Sequence, residues 1–144
     1  MDIYGYFKRE NAKLFDRLET VAESDDPALH SLLLNDLNRD LPAYLDAKAR
    51  SLYRALKDYA AAEPHLIAFK AHAARIHHAL EAVFAAREDG PWQGQFTALR
   101  NAVLSHLDDE EHHVFPVARQ WIHGRTARQL RREAETTLRE LEAA

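Results

Sequence analysis

Residues 106–116 read His-Leu-Asp-Asp-Glu-Glu-His-His-Val-Phe-Pro, and they interrupt an apolar helical pattern with ionisable side chains. Side chains three and four residues apart form one stripe through this stretch, because 3.6 residues complete a helical turn. His106 and Glu110 therefore project from one helix face, in the middle of a stripe that is otherwise apolar. The members of that stripe are Phe96, Leu99, Val103, His106, Glu110, Val114, Val117 and Trp121, with His113 adjacent.

Three further segments carry an apolar stripe of the same spacing, and polar side chains interrupt each one near its middle. The interruptions are Asn11 in the first segment, Tyr44 with Lys48 in the second, and His72 in the third. An isolated buried polar group costs roughly 1–3 kcal/mol, and an unpaired charge costs more. Together with His106 and Glu110, all four stripes are thus interrupted, which predicts that the polar groups face one another in one layer. A helical bundle holds a metal or a buried charge network in this way.

Glycine and proline divide the chain into five segments rich in strong helix formers. The predicted helices cover residues of about 3–23, 27–61, 65–88, 93–122 and 125–143. Short connections between long helices favour antiparallel neighbours. The sequence therefore predicts an all-α, up-and-down antiparallel four-helix bundle in a single domain, residues 1–144, with a short C-terminal helix across its end. Pro42 is expected to kink or split the second helix, and Pro116 to bend the fourth.

The composition narrows the classes of function. The 144 residues are 47% hydrophobic and 29% charged, with a net charge of -4, which is typical of a globular protein and gives no reason to expect nucleic acid as a partner. The absence of cysteine excludes disulfides and thiolate metal sites. No stretch approaches the roughly 18 apolar residues of a membrane span, and no signal peptide is evident. We expect a soluble, cytoplasmic protein, either a monomer or a homodimer.

The polar residues and their spacing resemble the hemerythrin-like, or HHE cation-binding, family. The stretch 106–116 is similar to the fourth-helix motif of that family, with a histidine, a glutamate four residues on, a second glutamate and then Phe-Pro. His72 stands where the third-helix histidine is expected. Residues 1–11 resemble the first helix of the family and residues 41–53 its second-helix motif. The resemblance extends to about residue 122 and implies a bundle that holds metal between its helices.

Three positions depart from the family pattern. The family would place histidine at Asn11, a second histidine at Tyr44 and a bridging glutamate at Lys48. The first two helices thus lack the expected ligands, whereas His72 and the pair on the fourth helix are retained. The resemblance consequently does not imply an intact di-iron oxygen carrier.

One hypothesis is a reduced, mononuclear metal site on His72, His106 and Glu110. Two imidazoles and one carboxylate suffice for non-haem iron with open positions or, less favoured, for zinc. Such a site would bind dioxygen, nitric oxide or peroxide. Tyr44, Glu111 and His113 are possible additional ligands. A further hypothesis on this basis is an oxygenase-like or peroxidase-like enzyme, but no motif names a substrate, and we do not expect an enzyme.

The alternative hypothesis is a metal-free bundle in which a Lys48–Glu110 pair replaces the metals. An ammonium beside a carboxylate supplies the positive charge that the ions would otherwise provide. Asn11, Tyr44 and the two helix histidines would complete the hydrogen-bond network. In that case the domain would act as an interaction or regulatory module with a protein partner. A ferritin-like reading of Glu110-x-x-His113 lacks the second pair that it requires.

Overall fold

The computed structural model describes residues 1–144, and every element in it is helical. Helix α1 spans Ile3–Glu23, α3 spans Glu63–Asp89 and α5 spans Gly124–Ala143. Helix α2 runs over residues 27–56 and helix α4 over residues 93–118. Each of these two contains a π-helical turn between α-helical parts: Pro27–Lys48, Ala49–Tyr53 and Arg54–Leu56 in α2, and Gln93–Asp109, Glu110–Val114 and Phe115–Ala118 in α4. The predicted all-α bundle with a C-terminal helix is confirmed.

Caps and prolines set the helix ends. The Asp2 side chain accepts a hydrogen bond of 3.0 Å from the backbone N–H of Gly5, and Asp26 does the same for Ala28. Helix α3 begins at Glu63, two residues earlier than predicted, because proline is tolerated in a first helical turn. Pro42 lies within an unbroken α-helical stretch, so it does not split α2.

One hydrophobic core of 34 buried residues fills the interior. The four predicted stripes supply about half of it, since almost all of their apolar members are buried. Val117 and Trp121, at the end of the fourth stripe, are only half-buried. Helix α3 packs mainly against α4. None of the helices combines the length and apolar character needed to cross a membrane.

The C-terminal helix occupies a different place from the one expected. Helix α5 packs against α1 and α2 instead of crossing the end of the bundle. The guanidinium of Arg131 donates a hydrogen bond of 3.2 Å to the carbonyl of Met1. Further along the same helix, Leu138 lies beside Leu14 and Leu41. The buried residues of α5 are Ala127, Ala134 and Leu138. This helix thus forms an additional layer over the α1–α2 face.

Candidate functional site

Lys48 lies at the centre of the bundle with a fully buried side chain. Its ammonium nitrogen Nζ is 2.7 Å from Glu110 Oε1, 3.1 Å from Asn11 Oδ1 and 3.3 Å from His106 Nε2. An ammonium group has three N–H donors, and each of them finds one of these acceptors. The ammonium therefore joins α1, α2 and α4 at a single point.

Glu110 is the anionic partner in this centre, and it too is fully buried. Its Oε1 accepts from Lys48 and, at 3.2 Å, from the Asn11 amide. Its Oε2 accepts from the Tyr53 hydroxyl at 2.8 Å. Hydrogen bonds to an ionised group are roughly twice as strong as those between neutral groups. Three donors on one carboxylate compensate for much of the hydration that the group lost on burial.

Aromatic rings complete the enclosure of the ammonium. The Tyr44 hydroxyl donates to Asn11 Oδ1 at 2.6 Å, which fixes the amide so that its NH₂ group faces Glu110. The Lys48 nitrogen lies 4.3 Å from the centroid of the Tyr44 ring and 5.6 Å from that of Phe7. Cation–π attraction of this kind is strongest where water is excluded.

The electrostatics favour a charged lysine–glutamate pair. Burial acts to raise the pKa of Glu110, but the Lys48 ammonium, the His106 ring and the hydrogen bonds from Lys48 and Tyr53 outweigh it and leave that pKa below its usual value. Burial lowers the pKa of Lys48, and the Glu110 carboxylate opposes that effect. We assign an ammonium, because the Glu110 carboxylate, whose pKa is lowered, lies 2.7 Å from the lysine nitrogen and favours its charged form. Burial, and then Glu110, raise the pKa of Tyr44 and of Tyr53, so both phenols stay protonated.

His106 serves this centre as a neutral acceptor. Burial, and then the nearby Lys48 charge, lower its pKa to about 3. Because Nε2 accepts from the ammonium, we assign the ring proton to Nδ1. The distance from Nε2 to Glu110 Oε2, 3.6 Å, is too long for a hydrogen bond.

The two π-helical turns help to assemble the centre. One follows Lys48 directly, as Ala49–Tyr53, and the other begins at Glu110, as Glu110–Val114. In an ordinary α-helix, a residue five positions after Lys48 would point about 140° away from it. The wider π turn brings Tyr53 back towards the face that carries Lys48. Single π turns are frequent at functional sites.

Three of the candidate ligands lie outside this network. His72 is half-buried on α3, its Nδ1 has no hydrogen-bond partner, and it lies 4.0 Å from Asp109 Oδ2. Its ring meets that of His106 edge-on, with 5.6 Å between centroids. Glu111 lines a surface groove between α1 and α4, and His113 is exposed. The polar layer thus joins three helices, with His72 at its rim.

The donor set does not fit a bound cation in this arrangement. No group of three or more His, Cys, Asp or Glu side chains is placed to hold a metal ion. His106 Nε2 and Glu110 Oε1, two atoms that a metal would need, both face the Lys48 ammonium. The three-ligand site on His72, His106 and Glu110 stays a prediction.

Tyr53 is the member of the centre that sequence reasoning missed. Helical periodicity excluded it, because it lies five residues after Lys48 and one residue after the predicted stripe position Leu52. No periodic signal would have found it, since the pattern assumes an α-helix throughout. The only hint was its place at the end of the second-helix stretch, residues 41–53.

Fold and centre together define a class: an antiparallel helical bundle whose middle layer gathers polar side chains from several helices, as in bundles that hold cations. The family model described as hemerythrin HHE cation binding domain matches residues 2–118. The chain belongs to this family. The match contains α1 to α4 with the whole polar centre, and it ends before α5. Comparison with curated proteins and with solved structures gave no match.

Proposed function

We propose that this protein is a hemerythrin-type domain that works without a bound metal and acts as a non-catalytic interaction or regulatory module. The observation that carries the proposal is the fully buried ion pair of Lys48 and Glu110, with 2.7 Å between Nζ and Oε1. The ammonium supplies, inside the bundle, the positive charge that a cation supplies elsewhere in the family.

The magnitude of charge repulsion supports a metal-free centre. Two unit charges 4 Å apart repel by about 4 kcal/mol at an effective dielectric constant near 20, so a divalent ion would meet about 8 kcal/mol from one ammonium. Structural zinc sites gain about 10–16 kcal/mol from binding. Repulsion by Lys48 would therefore cancel half or more of the gain, and His106 and Glu110 would also have to give up their hydrogen bonds to it.

The role as a module follows from the same centre. A filled network offers no open coordination position for dioxygen, nitric oxide or peroxide. Its buried members, among them Asn11, Lys48, His106 and Glu110, tie three helices together and so serve the fold. On this proposal the protein acts through its surface, towards a protein partner or a ligand that changes its state.

A second candidate function is the reduced metal site, and one observation favours it. The buried Nδ1 of His72 has no hydrogen-bond partner and lies 4.0 Å from Asp109, so it is free to bind a further group. For this nitrogen to share an ion with His106 and Glu110, the Lys48 side chain would have to leave the centre. Iron or zinc would then occupy a site with two imidazoles and one carboxylate.

Thermal unfolding with and without metal separates the two candidates. We expect the same unfolding midpoint in chelator, with added Fe²⁺ under anaerobic conditions and with added Zn²⁺, because a ligand stabilises only the state that binds it. His106→Ala serves as the control for unspecific metal effects. A midpoint that rises with metal in the wild type, but not in His106→Ala, would support the metal site and overturn the proposal.

A further inference from the structure

A small pocket lies where helix α5 covers α1 and α2. Its volume is about 200 Å³. The apolar part of its wall consists of Leu14, Leu41, Tyr44 and Leu138. Because α5 lies outside the family match, this pocket depends on a helix that the matched region does not contain. Tyr44 thus lines this pocket and also contacts Lys48 in the centre.

The charged part of the wall has one carboxylate without a partner. Glu10 pairs with Lys13, and Asp40 pairs with Arg17, each at 3.1 Å. Arg39, which does not line the pocket, also pairs with Asp40, at 2.7 Å. Glu142 is half-buried at the pocket and makes no ion pair. The cations that line the pocket are thus already paired, and Glu142 is the one carboxylate in the wall without an ion-pair partner.

The surroundings of Glu142 make it a receptor for positive charge. Burial raises its pKa, and the carboxylates of Asp40 and Glu10 raise it further, while Arg39 and Arg17 oppose them weakly. A carboxylate in this position gains from any cation that approaches, because the protein itself provides no direct counter-charge. The apolar wall beside it excludes water and favours a hydrocarbon group.

We infer that the pocket binds a small organic cation, a primary ammonium on a short hydrocarbon chain. The ammonium would meet Glu142, and the chain would lie against Leu14, Leu41 and Leu138. An anion would face Glu142 with no unpaired cation to receive it. A neutral molecule would leave the half-buried carboxylate without compensation. This inference goes beyond the proposed function and does not depend on whether the centre holds a metal.

The test compares three probes of the same shape and different charge. n-Butylammonium, 1-butanol and butyrate are titrated into the full chain at neutral pH, and backbone amide shifts are followed by NMR. We expect saturable shifts around Leu14, Leu41 and Leu138 with n-butylammonium, and binding weaker by about two- to fivefold for the other two probes, as expected for a partly exposed ion pair. Glu142→Gln should lower the affinity for n-butylammonium to that for 1-butanol.

Glu140→Gln is the matched control, because Glu140 lies on the same helix and is exposed. It should leave the affinity for n-butylammonium unchanged. Equal binding of 1-butanol, preferential binding of butyrate, or no saturable shift with n-butylammonium would each overturn the inference. An affinity that Glu142→Gln leaves unchanged would overturn it as well. Any of these results would leave the metal-free centre standing, since metal content is measured independently.

Discussion

Replacing Lys48 with alanine removes the only positive charge that touches the buried carboxylate of Glu110. We expect Lys48→Ala to lower the free energy of unfolding by about 3–5 kcal/mol, because an uncompensated buried charge remains. Urea-induced unfolding at neutral pH, followed by circular dichroism, measures this change. A loss below about 1 kcal/mol, the range of exposed ion pairs, would show that the pair does not stabilise the interior.

The double replacement Lys48→Met with Glu110→Leu is the control for this prediction. It removes both charges and keeps apolar side chains of similar size. We expect it to be more stable than Lys48→Ala by at least about 2 kcal/mol, since whole buried pairs are often replaceable without loss. A double variant as unstable as the single one would mean that packing around Lys48, and not its charge, is what matters.

Acid should weaken the fold through His106. The pKa of His106 is about 3 in the folded protein and about 6.5 in the unfolded chain, so the unfolded chain takes up the proton first. The contribution of His106 to the free energy of unfolding is complete above about pH 6.5. It is lost as the pH falls towards 3, by about 1.4 kcal/mol per pH unit. We expect about 2 kcal/mol of this loss at about pH 5, above the range in which carboxylates protonate.

His106→Gln is the matched variant for the acid effect, because glutamine keeps an acceptor for the Lys48 ammonium and does not titrate. Its unfolding free energy should fall less than that of the wild type between neutral pH and about pH 5. Parallel losses in the two proteins would show that His106 is not held neutral in the folded state.

Sequence alone located most of the centre at the level of residues. Asn11, Tyr44, Lys48, His106 and Glu110 each interrupt a helical stripe, and a polar group on a core face has to meet another one inside. What the pattern left open was which groups touch. Whether Lys48 would turn into the interior or extend to solvent depends on exact side-chain distances, which periodicity does not contain.

At the level of elements, the π turn in α2 places Tyr53. Tyr53→Phe removes the hydroxyl that donates to Glu110 at 2.8 Å and leaves the ring, which stacks on Phe69 with 3.9 Å between centroids. We expect a loss of about 1–3 kcal/mol, because a buried charged acceptor loses a donor. Tyr59→Phe is the control, since that ring stacks on Trp121 and its hydroxyl makes no hydrogen bond within the protein. Equal unfolding free energies of the two variants would contradict the assigned role.

Helix α5 should contribute to stability as part of the core. Leu138→Ala removes a buried side chain next to Leu14 and Leu41, and we expect the free energy of unfolding to fall by about 2–5 kcal/mol. Leu32→Ala is the matched control, because Leu32 is 60% exposed on α2. It should change stability by less than about 0.5 kcal/mol. A small effect of Leu138→Ala in denaturant unfolding would mean that α5 is not docked in solution.

The helices themselves were predictable, but the position of the last one was not. Glycine and proline marked the breaks, and the start at Glu63 shifted by two residues because Pro64 fits a first turn. For α5 the stripe of Leu130, Leu138 and Leu141 shows which face is buried. It does not show which neighbour that face meets, because several grooves of a bundle accept such a helix.

For the whole molecule, a family fold described as cation-binding is combined with an internal lysine ammonium. A metal contributes to stability only while it is bound, and chelators remove that contribution. The Lys48 side chain is part of the chain, so its contribution does not depend on a supply of metal. We therefore expect the folded state to be independent of metal supply, with the bundle available as a scaffold for the surface built by α5.

Metal content separates the metal-free centre from the reduced metal site. The protein is expressed in medium supplemented with iron and zinc, purified without a tag or chelator, and analysed by elemental mass spectrometry beside the variant with His72, His106 and Glu110 all replaced by alanine. We predict that neither protein carries metal in stoichiometric amount. One iron or zinc ion per wild-type chain, lost in the triple variant, would contradict this prediction and establish the reduced metal site instead.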